Sequence, residues 1–249
     1  MTREQLLAIA KEAACAGRAA LRSSREEATV VTADLSRDLK IQGDCMAEEK
    51  ILAILKSTGI PVLTEESGSV GGADSGGPRW IVDPLDGTVN FARKIPLSCT
   101  SIGLWEGDKP VLGVIADQDR DELFWGLEGA GAFLNGEPIR PSVTRSKERG
   151  ILCTGLPVAG SFAREGIESF IRASSAFKKV RLFGSAALSL AYVACGRADA
   201  YGERGVRIWD VAAGFAILRA AGGRTNHETV GNDPTILAVK ASNGNLEEW

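Results

Sequence analysis

The residues best suited to do chemistry in this chain stand at 80–90, Trp-Ile-Val-Asp-Pro-Leu-Asp-Gly-Thr-Val-Asn. An apolar run stops at Asp83 and Pro84 follows, which delivers a carboxylate to a strand end, where the core stops and ligands enter. Asp86 comes back to the same side, and between the two the Leu85 carbonyl adds a neutral oxygen. Such an oxygen-only donor set suits Mg2+ over softer metals. With Gly87 and Thr88 immediately after, the stretch outlines a metal and phosphate site. The plain alternative is a turn, since Pro, Asp and Gly form turns anywhere.

Three other places offer carboxylates beside predicted strand ends or helix starts: Asp44, Glu65 with Glu66, and Asp210. Each has an ordinary reading. Asp44 and Asp210 suit helix caps, and Glu65 with Glu66 suits a solvated pair at a strand end. Other chemistries lack their parts. The only histidine, His227, stands in a polar Thr-Asn-His-Glu stretch that reads as a surface turn, which argues against a Ser-His-Asp triad or a His-rich zinc centre. Cys15, Cys45, Cys99, Cys153 and Cys195 are scattered without CxxC spacing and read as reduced, mostly buried thiols of a cytoplasmic protein.

The elements that must position these groups follow from hydrophobic periodicity. Helical spacing predicts helices over 2–22 and 44–57, with an irregular hairpin or loop over 23–43 between them. A short strand over 60–64 leads to Glu65, and the Gly- and Ser-rich stretch 67–78 reads as an excursion before the strand that ends at Asp83. Short apolar runs at 100–105, 111–117, 122–126 and 132–134 predict an antiparallel meander. The polar segment 135–149 reads as a lobe boundary. Beyond it, strands at 150–154, 179–182 and near 199–201 alternate with helices at 162–174, 186–195 and 210–221, and 236–241 reads as a closing strand. That is an α/β second half behind an α+β first half, one catalytic unit with lobes near 1–140 and 141–249.

The 249 residues, 44% hydrophobic and 24% charged, describe a globular chain long enough to bury a substantial core. A net charge of −3 argues against a nucleic-acid polymer as partner and leaves a small phosphorylated ligand open. The first residues read as an amphipathic helix rather than a signal peptide, and no stretch approaches a membrane span.

In order and spacing, the carboxylate segments resemble the inositol monophosphatase family, the lithium-sensitive, magnesium-dependent phosphatases. Thr64-Glu-Glu-Ser precedes Trp80-Ile-Val-Asp-Pro-Leu-Asp-Gly-Thr-Val-Asn-Phe, and Trp209-Asp-Val-Ala-Ala-Gly lies far downstream before Ala221-Gly-Gly. Asp38-Leu-Lys-Ile-Gln-Gly-Asp44 is similar to the family's early Asp-Leu-Val-Thr-x-x-Asp element. The resemblance runs from about residue 2 to 242. It implies a layered αβαβα sandwich of the inositol monophosphatase and sugar phosphatase type, and two or three Mg2+ ions. Glu65, Asp83 and the Leu85 carbonyl match ligands of a first ion, and Asp83, Asp86 and Asp210 match those of a second, while Glu65 matches a ligand of a third. Gly87 and Thr88 match the segment whose backbone N–H groups receive the phosphate. Thr88 and Asp44 match the pair that orients the attacking water, with no protein nucleophile required.

Substrate choice rests on the same resemblance. Gly184-Ser185-Ala186 matches a Gly-Thr-Ala segment beside the substrate ring, with serine replacing threonine, and Glu203 falls where a carboxylate binds sugar or inositol hydroxyls. A carboxylate there suits a neutral polyol and repels a second phosphate. Arg204 and Arg207 flank it and suit a second anionic group or an exposed loop. Lys40 and Ile41 depart from the usual Val and Thr, and Arg37 stands without an obvious counterpart of the usual lysine. These departures bear on the third ion and the early loop. The readings are therefore a phosphomonoesterase acting on inositol monophosphate, a 3'(2'),5'-bisphosphate nucleotidase or fructose-1,6-bisphosphatase, or a catalytically silent relative that binds metal and a partner protein. The resemblance also implies a homodimer.

Overall fold

The computed structural model describes residues 1–35, 38–72, 76–156 and 164–246. Arg37, part of the 67–78 excursion and the start of the helix expected at 162 lie outside them. Helix α1 (Arg3–Ser23) opens on a capping box, Thr2 with Gln5, and buries Leu6, Leu7, Ala10, Ala13, Ala14, Gly17 and Leu21 along one stripe. The expected irregular segment after it holds a short helix α2 (Arg25–Ala28) and an antiparallel strand pair, β1 (Val31–Leu35) and β2 (Asp38–Ile41). Helix α3 (Gln42–Leu55) begins two residues before the expected start, so Asp44 sits in its first turn rather than at its cap.

Strands β3 (Val62–Thr64), β4 (Gly68–Val70) and β5 (Pro78–Asp86) follow, then the short helix α4 (Thr88–Ala92). The predicted meander forms as β6 (Cys99–Glu106), β7 (Lys109–Asp117), β8 (Leu123–Leu127) and β9 (Gly131–Leu134), extended by a short β10 (Glu137–Pro138). These strands build one sheet in the order β10-β9-β8-β7-β6-β5-β3-β4. The Gly-Ser excursion thus supplies an edge strand, β4, antiparallel to β3.

A second sheet has the order β12-β11-β13-β15-β14, from β11 (Ile151–Cys153), β12 (Lys179–Arg181), β13 (Ala200–Arg207), β14 (Arg224–Thr229) and β15 (Ile236–Ser242). Helix α5 (Arg164–Ser175) belongs to its outer face, and α6 (Ala186–Ala194) and α7 (Ile208–Ala220) lie between the sheets. With α1 and α3 on the far face of the first sheet, the layers read αβαβα, the sandwich the sequence implied. Helices α6 and α7 are apolar all round, as helices covered on both sides must be.

Three close approaches seat α7. A Cβ on Gly103 would come within 2.9 Å of the Ala212 carbonyl carbon, one on Gly126 within 2.7 Å of the Ile217 Cα, and one on Gly113 would overlap the Ala213 backbone. Trp105 Nε1 donates to the Ala212 carbonyl at 3.1 Å. The helix axis is thereby fixed over β6–β8, and so is the helix's first turn, which carries Asp210. The segment expected as a lobe boundary is strapped to the second sheet: Asn243 Nδ2 donates to the Thr144 carbonyl at 2.8 Å, and the Ser142 hydroxyl bonds Asp199.

Two expectations are corrected here. His227 is not in a surface turn but on edge strand β14, half-buried, with its ring 5.7 Å from that of Trp105 and 5.6 Å from that of Phe215. Burial lowers its pKa, so the ring packs as a neutral aromatic, far from any metal role. Strand β13 is also longer than the stretch near 199–201, running to Arg207 and carrying Glu203 within it. Of the thiols expected to be mostly buried, Cys99 and Cys153 are buried, Cys15 and Cys195 half-buried, and Cys45 exposed; all five are free.

Candidate active site

The two aspartates at 83 and 86 reach the same face through a bulge. Residues three apart on a regular strand point to opposite faces. On β5, Asp83 pairs with Ser101 and Asp86 with Cys99, so an extra residue is looped out between them and the alternation is reset. Both carboxylates therefore lie on the face that Ile81 gives to the inter-sheet core, while Leu85 turns to the opposite core with Trp80 and Val82. That shared face is the one α7 covers.

Asp83, Asp210 and Asp44 are each oriented by a local backbone hydrogen bond, and Asp86 by donors from another element. Asp83 Oδ1 accepts from the Leu85 N–H at 2.9 Å. Asp210 Oδ2 accepts from the Arg207 N–H at 2.8 Å, and Asp44 Oδ2 from the Ile41 N–H at 2.8 Å. Asp86 Oδ2 accepts from the Ser185 hydroxyl at 2.5 Å and the Ala187 N–H at 2.8 Å, with the Cys99 thiol 3.8 Å away. The bridge from Asp86 to Ser185 and Ala187 ties the end of β5 to the start of α6.

Electrostatics shows the cluster directly. Burial pushes the Asp83 carboxyl well above the usual range, and Glu65, Asp86, Asp210 and Asp44 push it further in the same direction. Asp210 is raised in turn by burial, Asp86 and Glu65. Asp86 is raised by burial, against the opposing hydrogen bonds from Ser185 and Ala187. Asp44 stands at about 7, raised mainly by burial and held back by the Ile41 N–H. The strongest influences on Asp83 after burial are all acidic, and Lys40 acts instead on Asp44 and Glu65. Buried acidic oxygens gathered in this way fit a divalent metal, and the donor set of four carboxylates and a carbonyl fits Mg2+. Among the described residues, no three carboxylate, thiol or imidazole groups already close around a point as an ion's ligands would.

Thr88 links the cluster to Asp44. Its hydroxyl lies 2.9 Å from the Leu85 carbonyl oxygen, to which it donates, and 3.3 Å from Asp44 Oδ1. Gly87 precedes it with φ +84°, and a Cβ there would come within 2.7 Å of the Leu97 carbonyl oxygen, so only glycine fits. Asn90 Nδ2 donates to the Leu97 and Phe183 carbonyls at 2.8 and 2.7 Å, binding the 183–184 segment to this turn. Nothing in the spacing of the motif had marked Asn90.

The residues expected at the substrate side divide. Gly184 is exposed beside Gly87, whereas Ser185 and Ala186 are buried. The Ser185 hydroxyl is committed to Asp86 and to the Leu188 N–H, so it orients a site carboxylate and caps α6. Glu203 is half-buried with its Oε2 accepting from the Tyr201 hydroxyl at 2.9 Å, and burial raises it to about 7. A Cβ on Gly155 would fall on the Glu203 carboxylate, so a side chain there would displace it. Arg204 and Arg207 turn away from the aspartates: Arg204 lies 3.3 Å from Glu228, and Arg207 lies 2.8 Å from Asp233 and 2.9 Å from Thr235. The solvated pair expected at 65–66 also differs, because Glu66 is held by Lys40 Nζ at 2.7 and 2.9 Å. A cavity of about 900 Å3 between α5 and the second sheet is lined by Glu203 and by none of the four metal-type carboxylates.

A layered αβαβα sandwich with acidic groups brought to one strand end defines a phosphoric monoester hydrolase. The chain belongs to the inositol monophosphatase family, a family of metal-dependent phosphatases, whose model matches residues 2–246. It is 40% identical over 222 residues to an inositol-1-monophosphatase of Synechocystis sp., covering 85% of this chain and 75% of the relative. It is 41% identical over 217 residues to Nus factor SuhB of Xylella fastidiosa, covering 86% and 78%. The solved structure of inositol monophosphatase from Anabaena (Nostoc) sp. superposes with a TM-score of 0.84 at 37% identity, over 97% of this chain and 92% of that one.

Proposed function

We propose that the protein is a Mg2+-dependent phosphomonoesterase acting on a small phosphorylated polyol, with inositol monophosphate as first choice. The observation that carries this reading is the bulge in β5, which sets Asp83 and Asp86 on one face under Asp210 and within the field of Glu65. The working unit is the whole chain, with lobes near 1–140 and 141–249. Glu65, Asp83 and the Leu85 carbonyl would hold one ion, Asp83, Asp86 and Asp210 a second, and Glu65 would share in a third. Bound Mg2+ supplies Lewis acidity, which acidifies water and offsets the charge of the phosphate and of the leaving alkoxide.

The chain's own residues supply position. Helix α4 is a single short turn, so phosphate recognition at Gly87 and Thr88 rests on individual backbone N–H groups more than on a helix dipole. With its proton turned to the Leu85 carbonyl, the Thr88 hydroxyl offers its lone pairs to a proton of the attacking water, and Asp44 Oδ1 beside it accepts that proton. The water oxygen bonds to phosphorus as the bond to the ester oxygen breaks in line, and the departing alkoxide takes up a proton from solvent. Glu203 receives hydroxyls of the polyol. Arg204 and Arg207 pair with Glu228 and Asp233, and the Glu203 carboxylate beside them repels a second phosphate, which supports a monophosphate over a bisphosphate.

The same reading takes the enzyme to be a cytoplasmic homodimer that uses neither membrane nor nucleic-acid polymer. Among the described residues no helix is long and apolar enough to cross a membrane. Phosphate release from inositol 1-phosphate, adenosine 3',5'-bisphosphate and fructose 1,6-bisphosphate, with and without Mg2+, tests it. Turnover of inositol 1-phosphate ahead of the other two, only with Mg2+, is expected. Faster turnover of either bisphosphate would select a rival substrate class, and no release from any ester would leave the catalytically silent relative.

A further inference from the structure

Glu48 is a buried carboxylate that the chemistry above does not use. It is 6% exposed, one helical turn after Asp44 on α3, so both acids lie on one helix face. Its Oε1 accepts from the Thr64 hydroxyl at 2.7 Å and the Ser67 N–H at 3.1 Å, and its Oε2 accepts from the Ser67 hydroxyl at 2.5 Å. Thr64 is fully buried. Glu65 lies between these two anchored residues, in the turn that follows β3. From the other side, Lys40 holds Glu66.

Burying a carboxylate is costly, and the described partners of Glu48 are neutral donors, not a cation. The group also adds negative charge beside an already acidic cluster. An apolar residue there would leave the Thr64 and Ser67 donors without this acceptor. An ionised carboxylate, however, only accepts hydrogen bonds, and its two oxygens can gather three donors from one tight turn. An amide would offer two of its own hydrogens to the same donors. We propose that Glu48 is a positioning residue: by clamping Thr64 and Ser67 it holds the backbone of Glu65 so that the Glu65 carboxylate is presented to the divalent cation. Together with Asp44, whose Oδ1 stands 3.3 Å from the Thr88 hydroxyl, it makes one face of α3 border two segments of the site.

The inference rests on the metal-site reading, and the test separates the two. Mn2+ binding to the whole protein without substrate is measured by electron paramagnetic resonance for the parent, Glu48→Ala, Glu48→Gln and the exposed neighbour Glu49→Ala, with melting temperatures in chelator and in saturating Mg2+. Glu48→Ala is expected to weaken Mn2+ binding by about 10- to 100-fold, the usual effect of removing a group that orients a ligand. Glu48→Gln should fall in between, and Glu49→Ala should match the parent. The Mg2+-induced rise in melting temperature should shrink with the logarithm of the lost affinity. Parent-like Mn2+ affinity in Glu48→Ala, with equal loss of melting temperature in chelator and in Mg2+, would make Glu48 a fold residue only and overturn the proposal. If Glu48→Ala does not fold, parent-like affinity in Glu48→Gln does the same. A parent that binds no Mn2+ would overturn the metal-site reading itself.

Discussion

The starts of α3 and α7 are built alike and used differently. Each helix carries an aspartate as its third residue, Asp44 or Asp210, and in each the carboxylate reaches back to the N–H of the residue before the helix, Ile41 or Arg207, at 2.8 Å. This satisfies one of the donors left open at any helix start. The destinations then diverge. Asp44 turns its other oxygen to Thr88, whereas Asp210 stands in the field of Asp86 and Glu65. The cap reading and the chemical reading of these residues are therefore not rivals. The local hydrogen bond fixes one oxygen, which is how the other comes to be aimed.

That comparison can be broken by neutral isosteres. Asparagine keeps an oxygen for the helix-start N–H and removes the charge. Asp210→Asn should lower Mg2+-dependent phosphate release by on the order of 1000-fold, about 4 kcal/mol of transition-state stabilisation. The melting temperature in chelator should hold or rise, because a repelling charge is gone. Asp44→Asn, acting on the water rather than on an ion, should cost on the order of 100-fold. Equal losses from both changes, with equal destabilisation in chelator, would reduce the two residues to caps.

A smaller effect is expected at the substrate side. Glu203→Gln should lower kcat/KM for inositol 1-phosphate about tenfold, the range of one hydrogen bond to a charged group, and leave hydrolysis of p-nitrophenyl phosphate within about twofold. A matching loss on both substrates would place Glu203 with the reaction rather than with the polyol.

The most general effect is on stability. In Asp44, Asp83, Asp86 and Asp210 the folded state holds protons that the unfolded chain has released, from the ordinary 3.8 up to about 7 for Asp44. Below that window the groups are neutral in both states and cost nothing. As pH rises through it the folded state binds more protons than the unfolded one, so stability falls, by up to about 1.4 kcal/mol per pH unit for each group. Metal-free protein should thus melt lower at pH 7 than at pH 5, and saturating Mg2+ should reverse the trend. A chelator-treated sample that gains stability over this interval would contradict the buried acidic cluster.

Much of this arrangement was legible in the residues. The apolar run before Asp83 announced a strand, although β5 does not stop there but continues through its bulge to Asp86; the alternating runs at 100–134 announced the meander, and periodicity placed α1. What escaped did so for identifiable reasons. Strand β14 reads Arg-Thr-Asn-His-Glu-Thr, polar because it is an edge whose outward residues meet solvent, so no apolar alternation marks it. His227 was misjudged with it, since only tertiary packing against Trp105 and Phe215 makes that ring a core group. Glu48 looks in sequence like any helix-surface acid, and its donors, Thr64 and Ser67, lie 16 and 19 positions away. Ser185 could be tied to Asp86 only once the start of α6 was seen against the end of β5.

The account stands on Asp86, the residue that the β5 bulge turns to the side of Asp83 and that Ser185 and Ala187 hold in place. The most direct measurement is phosphate release from inositol 1-phosphate at saturating Mg2+ by the parent and by Asp86→Asn. Release that requires Mg2+ in the parent and falls on the order of 1000-fold or more in the variant is predicted. Activity of the variant within about tenfold of the parent would contradict it.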